Sequence, residues 1–326
     1  MVGHDVLVAE QPWERLDVSS WAVVRVEQGG STTSLWLEEP GQSTRWLYKT
    51  TLIPQNQQEQ GEDWSEVIAT QVGAKFGVPC AETRLCERDG RRGSVSRSVR
   101  PVGYALNEGR VILTREAAPG YIPHAEGQPA EDPNRPAVRR PGHTLENIRV
   151  ALAEVAPPET FDGPQGFCGF DVFAGYLVLD ALIANRDRHE QNWAVLTPDL
   201  IGPVERLSPS YDHASSLGYN LSDEARGRYT ADPRALLGFA ERGTAWRFEH
   251  QGRPRTLVGH AVEGLRMCAP EAAQWWQRQL ASVDLAPVFG ALDEGVTGMS
   301  DDAGRFVRAL LELNLRRLQD ALASNI

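Results

Sequence analysis

The sequence predicts an α+β fold in two lobes, a small and mostly antiparallel N-terminal lobe followed by a larger helical C-terminal lobe. Before residue 100 the chain is a succession of short β-rich runs separated by turn residues. Beyond residue 143 apolar residues recur at helical spacing. The chain has 326 residues, 41% of them hydrophobic and 24% charged, which is enough material of ordinary globular composition for two lobes. The boundary is placed near Arg100, giving lobes over 1–100 and 101–326.

Trp21 to Val26 and Ser34 to Glu38 read as strands, joined by the glycine- and hydroxyl-rich turn Gln28-Gly29-Gly30-Ser31-Thr32-Thr33. A third strand, Thr44 to Thr50, alternates Trp46, Tyr48 and Thr50 on one face with Leu47 and Lys49 on the other, and Lys49 is expected to point with the apolar face. Glu62 to Phe76 reads as a helix with Trp64, Ile68 and Val72 at i, i+4 and i+8, ended by Gly77 and Pro79. Glu66 falls near its middle. Strands over Glu82–Glu87 and Gly93–Val99 flank the turn Arg88-Asp89-Gly90-Arg91 and complete the first lobe.

The proline- and glycine-rich stretch Ala117–Gly142 lacks periodicity and reads as a long loop. A helix over His143–Ala153 opens with Thr144 three residues before Asn147. Another, Phe170–Ile183, carries Phe170, Phe173, Ala174, Leu177 and Ala181 on one face and delivers the chain towards Asp187. Trp193 to Leu196 makes a short strand, Thr197-Pro198-Asp199 a turn, and Glu205-Arg206-Leu207 the return to Asp212. Helices follow near Pro233–Glu241, His260–Met267, Pro270–Leu280 and Asp302–Ala323, the last with a buried stripe of Val307, Leu311, Leu315, Leu318 and Leu322.

Composition narrows the function. A formal net charge of -11 argues against nonspecific binding to nucleic acid or an anionic membrane surface, so phosphate recognition has to be local. Cys80, Cys86, Cys168 and Cys268 show no CxxC spacing and read as reduced thiols, with neither a zinc site nor a disulfide framework. No secretory pattern opens the chain, and no apolar run reaches the roughly 18 residues that span a bilayer. A soluble cytoplasmic protein, with no direct nucleic-acid or membrane partner, is expected.

The densest chemistry lies in Asn185-Arg186-Asp187-Arg188-His189-Glu190-Gln191-Asn192 and in Ser208-Pro209-Ser210-Tyr211-Asp212, whose aspartate falls twenty residues after Asn192. An Asp and an Asn five apart in a polar loop, with a second Asp after an intervening strand, fit phosphoryl transfer. Asp187 is expected to receive or orient the proton of the attacking hydroxyl, while Asn192 and Asp212 hold the Mg²⁺ that neutralises the triphosphate of ATP. His189 reads as a hydrogen-bonded scaffold residue rather than a general base. Arg186 and Arg188 either stabilise transferring charge or pair with Asp187, against the plainer alternative of solvated surface arginines.

Only Lys49 and Lys75 among the 33 basic residues are lysine. Lys49 suits the α- and β-phosphates of a nucleotide, and a strand-to-helix ion pair with Glu66 is expected to hold its ammonium. The turn Gly29-Gly30-Ser31-Thr32-Thr33 offers backbone N–H groups that can cradle phosphate, although it is neither a Walker A motif nor GxGxxG. Phosphorylation of Ser31, Thr32 or Thr33 would put charge where the nucleotide phosphates sit, and is expected to inhibit.

With these residues laid out, the chain resembles the HipA-like serine/threonine kinases, whose fold is related to that of the phosphatidylinositol 3- and 4-kinases. The resemblance spans most of the chain. Besides the Asp187-to-Asn192 loop and the Ser-Pro-Ser-Tyr-Asp212 element, it includes Trp64-Ser65-Glu66-Val67, the lobe connector Ser94-Val95-Ser96-Arg97-Ser98, and His143-Thr144-Leu145-Glu146-Asn147-Ile148. It implies a bilobal protein-kinase-like fold with Mg·ATP between the lobes, Lys49 on phosphate, Asp187 as catalytic carboxylate, Asn192 and Asp212 on metal, and adenine near Ser96, Arg97 and Ser98. It also implies a protein substrate, a regulatory or antitoxin partner, and autophosphorylation at Ser31 or Thr33. Two departures stand out: the family's N-terminal subdomain is expected to be missing, and the loop reads Asp-Arg-His where the toxin carries Asp-Gly-His, closer to the lipid kinases.

A phosphoinositide kinase needs a cationic surface for its head group, yet in the segment after Asp212, through Arg234, the arginines Arg226, Arg228 and Arg234 are balanced by Asp223, Glu224 and Asp232. A small-molecule kinase, with Ala117–Gly142 shaping the acceptor pocket, is a further alternative. An ATP-binding pseudokinase is the third, and the presence of Lys49, Asp187, Asn192 and Asp212 argues against it.

Overall fold

A computed structural model describes residues 13–27, 34–54, 59–124, 132–200 and 204–325. The turn Gly29-Gly30-Ser31-Thr32-Thr33 lies outside the described residues.

The first half is a six-stranded sheet with one long helix against it. Strands β1 (Leu16–Asp17), β2 (Ala22–Glu27), β3 (Ser34–Glu38) and β4 (Arg45–Thr50) precede helix α1 (Glu62–Phe76), and β5 (Thr83–Arg88) and β6 (Arg91–Arg97) follow it. The order is β1-β5-β6-β4-β3-β2, antiparallel throughout except where β1 runs parallel to β5. The β5–β6 hairpin closes on Asp89 and Gly90, both at positive φ (51° and 74°), the backbone that two-residue hairpin turns favour. Pleat alternation gives the sheet two faces. Trp46 and Tyr48 pack on one of them with Val18, Trp21, Leu37, Cys86 and Val95 as a small separate core. On α1, Val67, Ile68 and Val72 join Leu85 in the main core.

This corrects the expected orientation of Lys49. The apolar face of β4 is that of Trp46 and Tyr48, because their rings fill the small core; Leu47 and Lys49 are left on the opposite face, half-buried.

The second half begins with β7 (Tyr104–Glu108) and the short helix α2 (Gly109–Arg115). The stretch expected to be an unstructured loop contains a strand, β8 (Val138–Arg139), followed by α3 (Leu145–Ala151), where Thr144 Oγ1 accepts the Asn147 N–H at 3.1 Å. Helix α4 (Gly169–Ile183) is buried along its whole length, so its apolar character extends around the helix beyond the single face read from periodicity. After it come β9 (Ala194–Pro198) and β10 (Arg206–Leu207), which form a three-stranded sheet in the order β10-β9-β7. Thr197 and Pro198, expected in a turn, belong to β9 because Ala105 and Tyr104 pair with them.

Helices α5 (Asp223–Ala231) and α6 (Pro233–Glu241), strand β11 (His250–Gln251), and helices α7 (Leu257–Arg266), α8 (Pro270–Ser282), α9 (Ala286–Glu294) and α10 (Asp301–Asn325) complete the chain. Helices α7 and α10 pack on α4, and α10 buries Val307, Leu311, Leu318 and Leu322. No helix among the described residues is long and apolar enough to cross a membrane. All four cysteines are free, and burial pushes the thiols of Cys80, Cys86 and Cys268 upward, which keeps them protonated.

Candidate active site

Helix α4 hands the chain to the polar loop through Ala184, which takes the left-handed conformation (φ 56°). Asn185 then anchors the turn: its Nδ2 donates to Asp180 Oδ1 at 2.7 Å, and its Oδ1 accepts the Asp187 N–H at 3.0 Å. Asn192 Nδ2 donates to the Asp187 carbonyl at 2.8 Å, which fixes the amide orientation and leaves Oδ1 available as an oxygen ligand. His189 Nδ1 accepts from the Gln191 N–H at 3.2 Å, and burial lowers the imidazole's pKa, in keeping with a neutral scaffold residue.

Arg188 is neither a surface arginine nor a partner of Asp187. It is 2% exposed and forks onto Asp180, with Nε to Oδ2 and Nη2 to Oδ1 both at 2.8 Å. Nη1 donates to the Asn192 carbonyl at 2.7 Å and Nη2 also to Ser210 Oγ at 3.0 Å. One buried guanidinium thereby joins the end of α4, the Asp187 loop and the segment leading to Asp212. A full set of donor contacts is what makes its burial tolerable.

The Asp212 segment is tied to the first half of the chain. Ser210 N–H donates to the Pro79 carbonyl and its own carbonyl accepts from Ala81 N–H, both at 2.8 Å. Ser65 Oγ on α1 donates to the Ser216 carbonyl at 2.9 Å. Asp212 itself sits at φ 60°, a left-handed backbone that a non-glycine residue adopts at a cost on the order of 1 kcal/mol, as functional residues often do.

Lys49 Nζ donates to Asp212 Oδ1 at 2.6 Å, with both side chains about a third exposed (34% and 33%). Burial works against the ammonium, but Asp212 and then Glu66 outweigh it and raise the Lys49 pKa. Burial likewise opposes the Asp212 carboxylate, and Lys49 reverses that and lowers its pKa. The expected Lys49–Glu66 ion pair is not formed. Glu66, 3% exposed, takes the His213 N–H on Oε2 at 2.6 Å and faces His213 Nδ1 with Oε1 at 3.3 Å. A buried carboxylate needs donors, and here the His213 N–H supplies one while the half-buried lysine pairs with Asp212.

Register places Ser96 opposite Leu47 and Ser94 opposite Lys49, so both serines share the Lys49 face. Arg97, opposite Trp46, is on the other face, with its guanidinium on Glu82 at 3.2 Å. Its side chain is therefore turned away from Lys49. Ser98 follows the strand and donates its N–H to the Arg45 carbonyl at 2.9 Å.

Asp187 meets a residue that sequence reasoning did not single out. Arg247 Nε donates to Asp187 Oδ1 at 2.6 Å, and Nη2 contacts the same oxygen, leaving Oδ2 without a protein partner among the described residues. Arg247 stacks on Trp246 at 4.0 Å. Its carbonyl accepts from His143 Nδ1 at 2.8 Å, while Trp193 Nε1, which can only donate, points at His143 Nε2 at 3.2 Å. His143 is thus the neutral Nδ1–H tautomer, and burial lowers its pKa. No local spacing could have paired Arg247 with an aspartate sixty residues earlier. Asp180 was the more legible omission, since a carboxylate inside the apolar run Leu-Val-Leu-Asp-Ala-Leu-Ile signals a buried partner.

No family model matches this sequence, and no curated protein matches it. Among solved structures, the Helicobacter pylori proinflammatory kinase CtkA is similar with a TM-score of 0.68 and 14% sequence identity, over 96% of this chain and 98% of that one. HipA of Shewanella oneidensis MR-1, solved with HipB and operator DNA, is more distant, with a TM-score of 0.40 and 12% identity over 98% of this chain and 70% of that one. At such identities the likeness to CtkA speaks for the fold. The chain has the bilobal kinase fold that the resemblance to HipA-like kinases implies.

Proposed function

We propose that this chain is an ATP- and Mg-dependent protein serine/threonine kinase of HipA-like type, with nucleotide bound between lobes over 1–100 and 101–326. The observation that carries the reading is the Lys49–Asp212 pair, which joins the sheet to the segment that Arg188 ties to the Asp187–Asn192 loop. The donor set fits the implied group: Asn192 Oδ1 and the Asp212 carboxylate are hard oxygen ligands, and Lys49 is a point charge suited to phosphate. When bound, Mg·ATP supplies the phosphoryl group and the metal charge that offsets it.

The chain's own residues do the rest. Lys49 holds phosphate charge and is kept protonated by Asp212. Asp187 receives the acceptor hydroxyl on Oδ2 while Arg247 fixes Oδ1, so the carboxylate is oriented before the acceptor arrives. Arg188 keeps the Asp187 and Asp212 segments in register. The same reading includes autophosphorylation at Ser31 or Thr33 and restraint by a regulatory protein of the antitoxin kind. Nucleotide contact by Gly29, Gly30, Thr32, Ser96 and Ser98 belongs to it as well.

The test is incubation of the purified protein with ATP labelled at the γ-phosphate, alongside Asp187→Ala, reading intact mass and phosphosite. Label on a serine or threonine of the wild type alone is expected. ATP binding with neither incorporation nor turnover, with protein acceptors supplied, would favour the pseudokinase.

A further inference from the structure

Residues 138–143 return to the site as part of a built platform. Strand β8 pairs with β11, Arg139 opposite His250 and Val138 opposite Gln251, although more than a hundred residues separate them. Beside this pairing, Gly142 N–H donates to Glu249 Oε2 at 2.6 Å and Glu249 N–H donates to the His143 carbonyl at 2.8 Å. The His143 ring stacks on Phe248 at 4.5 Å, nearly parallel. Arg140, Trp246 and Arg247 project from these two backbone segments.

Two guanidiniums therefore share one indole, Arg247 at 4.0 Å and Arg140 at 5.4 Å from the ring centre. Arg247 already holds Asp187. Arg140 makes no ion pair among the described residues and sits at φ 55°, a strained backbone for a non-glycine residue. Burial and then the Arg247 charge lower its pKa, with Glu190 and Asp187 pulling the other way. Glu190 is itself engaged by His124 at 2.8 Å. Arg140 is thus a guanidinium with no ion pair of its own, sharing the Trp246 ring with the Arg247 that holds the acceptor-receiving carboxylate.

We propose that Arg140, Trp246 and Arg247 form an acceptor-side anion subsite, which holds a carboxylate or phosphate of the acceptor next to the hydroxyl received by Asp187. The inference rests on the kinase reading for its role, but not for its chemistry. Planar guanidiniums stacked on an aromatic face have lost their rotamer freedom in advance and present paired N–H groups to an oxyanion. Lys49 and Asp212 are the nucleotide side of the proposed site, whereas Arg247 holds Asp187 and shares the Trp246 ring with Arg140, so the anion is assigned to the acceptor and not to the nucleotide. The segment after Asp212, through Arg234, balanced in charge, gave no hint of a cationic acceptor site, because the site's cations come from residues 140 and 247.

The test uses the full chain labelled with ¹⁵N-tryptophan, titrated with phosphoserine and separately with N-acetylglutamate. The Trp246 indole signal is assigned by its loss in Trp246→Phe. A saturable shift of that signal is expected, with affinity reduced about tenfold in Arg140→Ala and further in Arg140→Glu. The remaining indole signals report that the variants fold. The stronger of the two probes identifies phosphate or carboxylate as the anion. No response of Trp246 to either probe, or a response equal in wild type, Arg140→Ala and Arg140→Glu, overturns the subsite. Transfer of label from γ-labelled ATP by the wild-type protein, with protein acceptors supplied, decides the kinase reading separately, so the two failures are distinguishable.

Discussion

Arg188 and Asp180 form a two-point ion pair, both contacts at 2.8 Å, with side chains only 2% and 3% exposed. The pair closes a buried chain of contacts that runs on from Arg188 through Ser210 and His213 to Glu66, where Ser210 Oγ meets His213 Nε2 at 2.7 Å. Helix α1 and the Asp187 loop are thereby mechanically continuous.

Removing only one partner of such a pair leaves a buried charge. Arg188→Met is expected to destabilise the protein by about 3–5 kcal/mol, and Arg188→Met with Asp180→Leu to recover most of that loss. Urea unfolding measures both. A single variant within about 1 kcal/mol of wild type would contradict the network.

The proposed function gives Asp187 and Asp212 separate tasks, so their substitutions should fail differently. Asp187→Ala is expected to lower phosphoryl transfer by about a hundredfold or more with nucleotide affinity largely kept. Asp212→Ala is expected to weaken nucleotide affinity and its Mg²⁺ dependence, because it removes both a metal oxygen and the partner of Lys49. Calorimetry in the presence and absence of Mg²⁺ checks the pair; an equal loss of ATP affinity in both variants contradicts the assignment.

Glu66 serves His213 and not Lys49, which predicts a graded outcome. Glu66→Gln keeps an acceptor for the His213 N–H and should alter Mg·ATP affinity less than Asp212→Asn does. Glu66→Ala orphans that N–H and is expected to cost about 1–3 kcal/mol of stability. Nucleotide titrations and denaturant midpoints on the three variants decide it.

His260 gives a pH signature. It is 7% exposed, its Nε2 has no hydrogen-bond partner, and burial pushes its pKa from 6.5 down to about 3. Between those values the unfolded chain binds a proton that the folded chain refuses, so stability is full above pH 6.5 and falls as the pH drops towards 3. His260→Leu is expected to flatten the unfolding free energy over this window. An unchanged slope would assign the acid sensitivity to other groups.

Much of the fold was legible because its cues are local. The helix over Glu62–Phe76 has the bounds that its apolar spacing and Gly77 predict, and Ser34–Glu38 those that its alternation predicts. Helix α5 escaped notice because Asp-Glu-Ala-Arg-Gly-Arg-Tyr-Thr-Ala is polar almost all round and buries only Arg226, leaving no period to read. Strand β8 escaped because its partner, β11, lies beyond a hundred residues of intervening chain.

The sequence by itself determined the two-part plan and the loop from Asp187 to Asn192 with its later Asp212, since periodicity, turn residues and short spacings act through neighbours along the chain. Tertiary structure alone decided who pairs with whom. Lys49 met Asp212 because Glu66 was buried against His213, Arg188 left the surface because Asp180 awaited it inside, and Arg247 reached Asp187 from sixty residues away. The physical reason is that a charge chooses its partner by burial and by which donors approach within about 3 Å, and both depend on how distant segments pack.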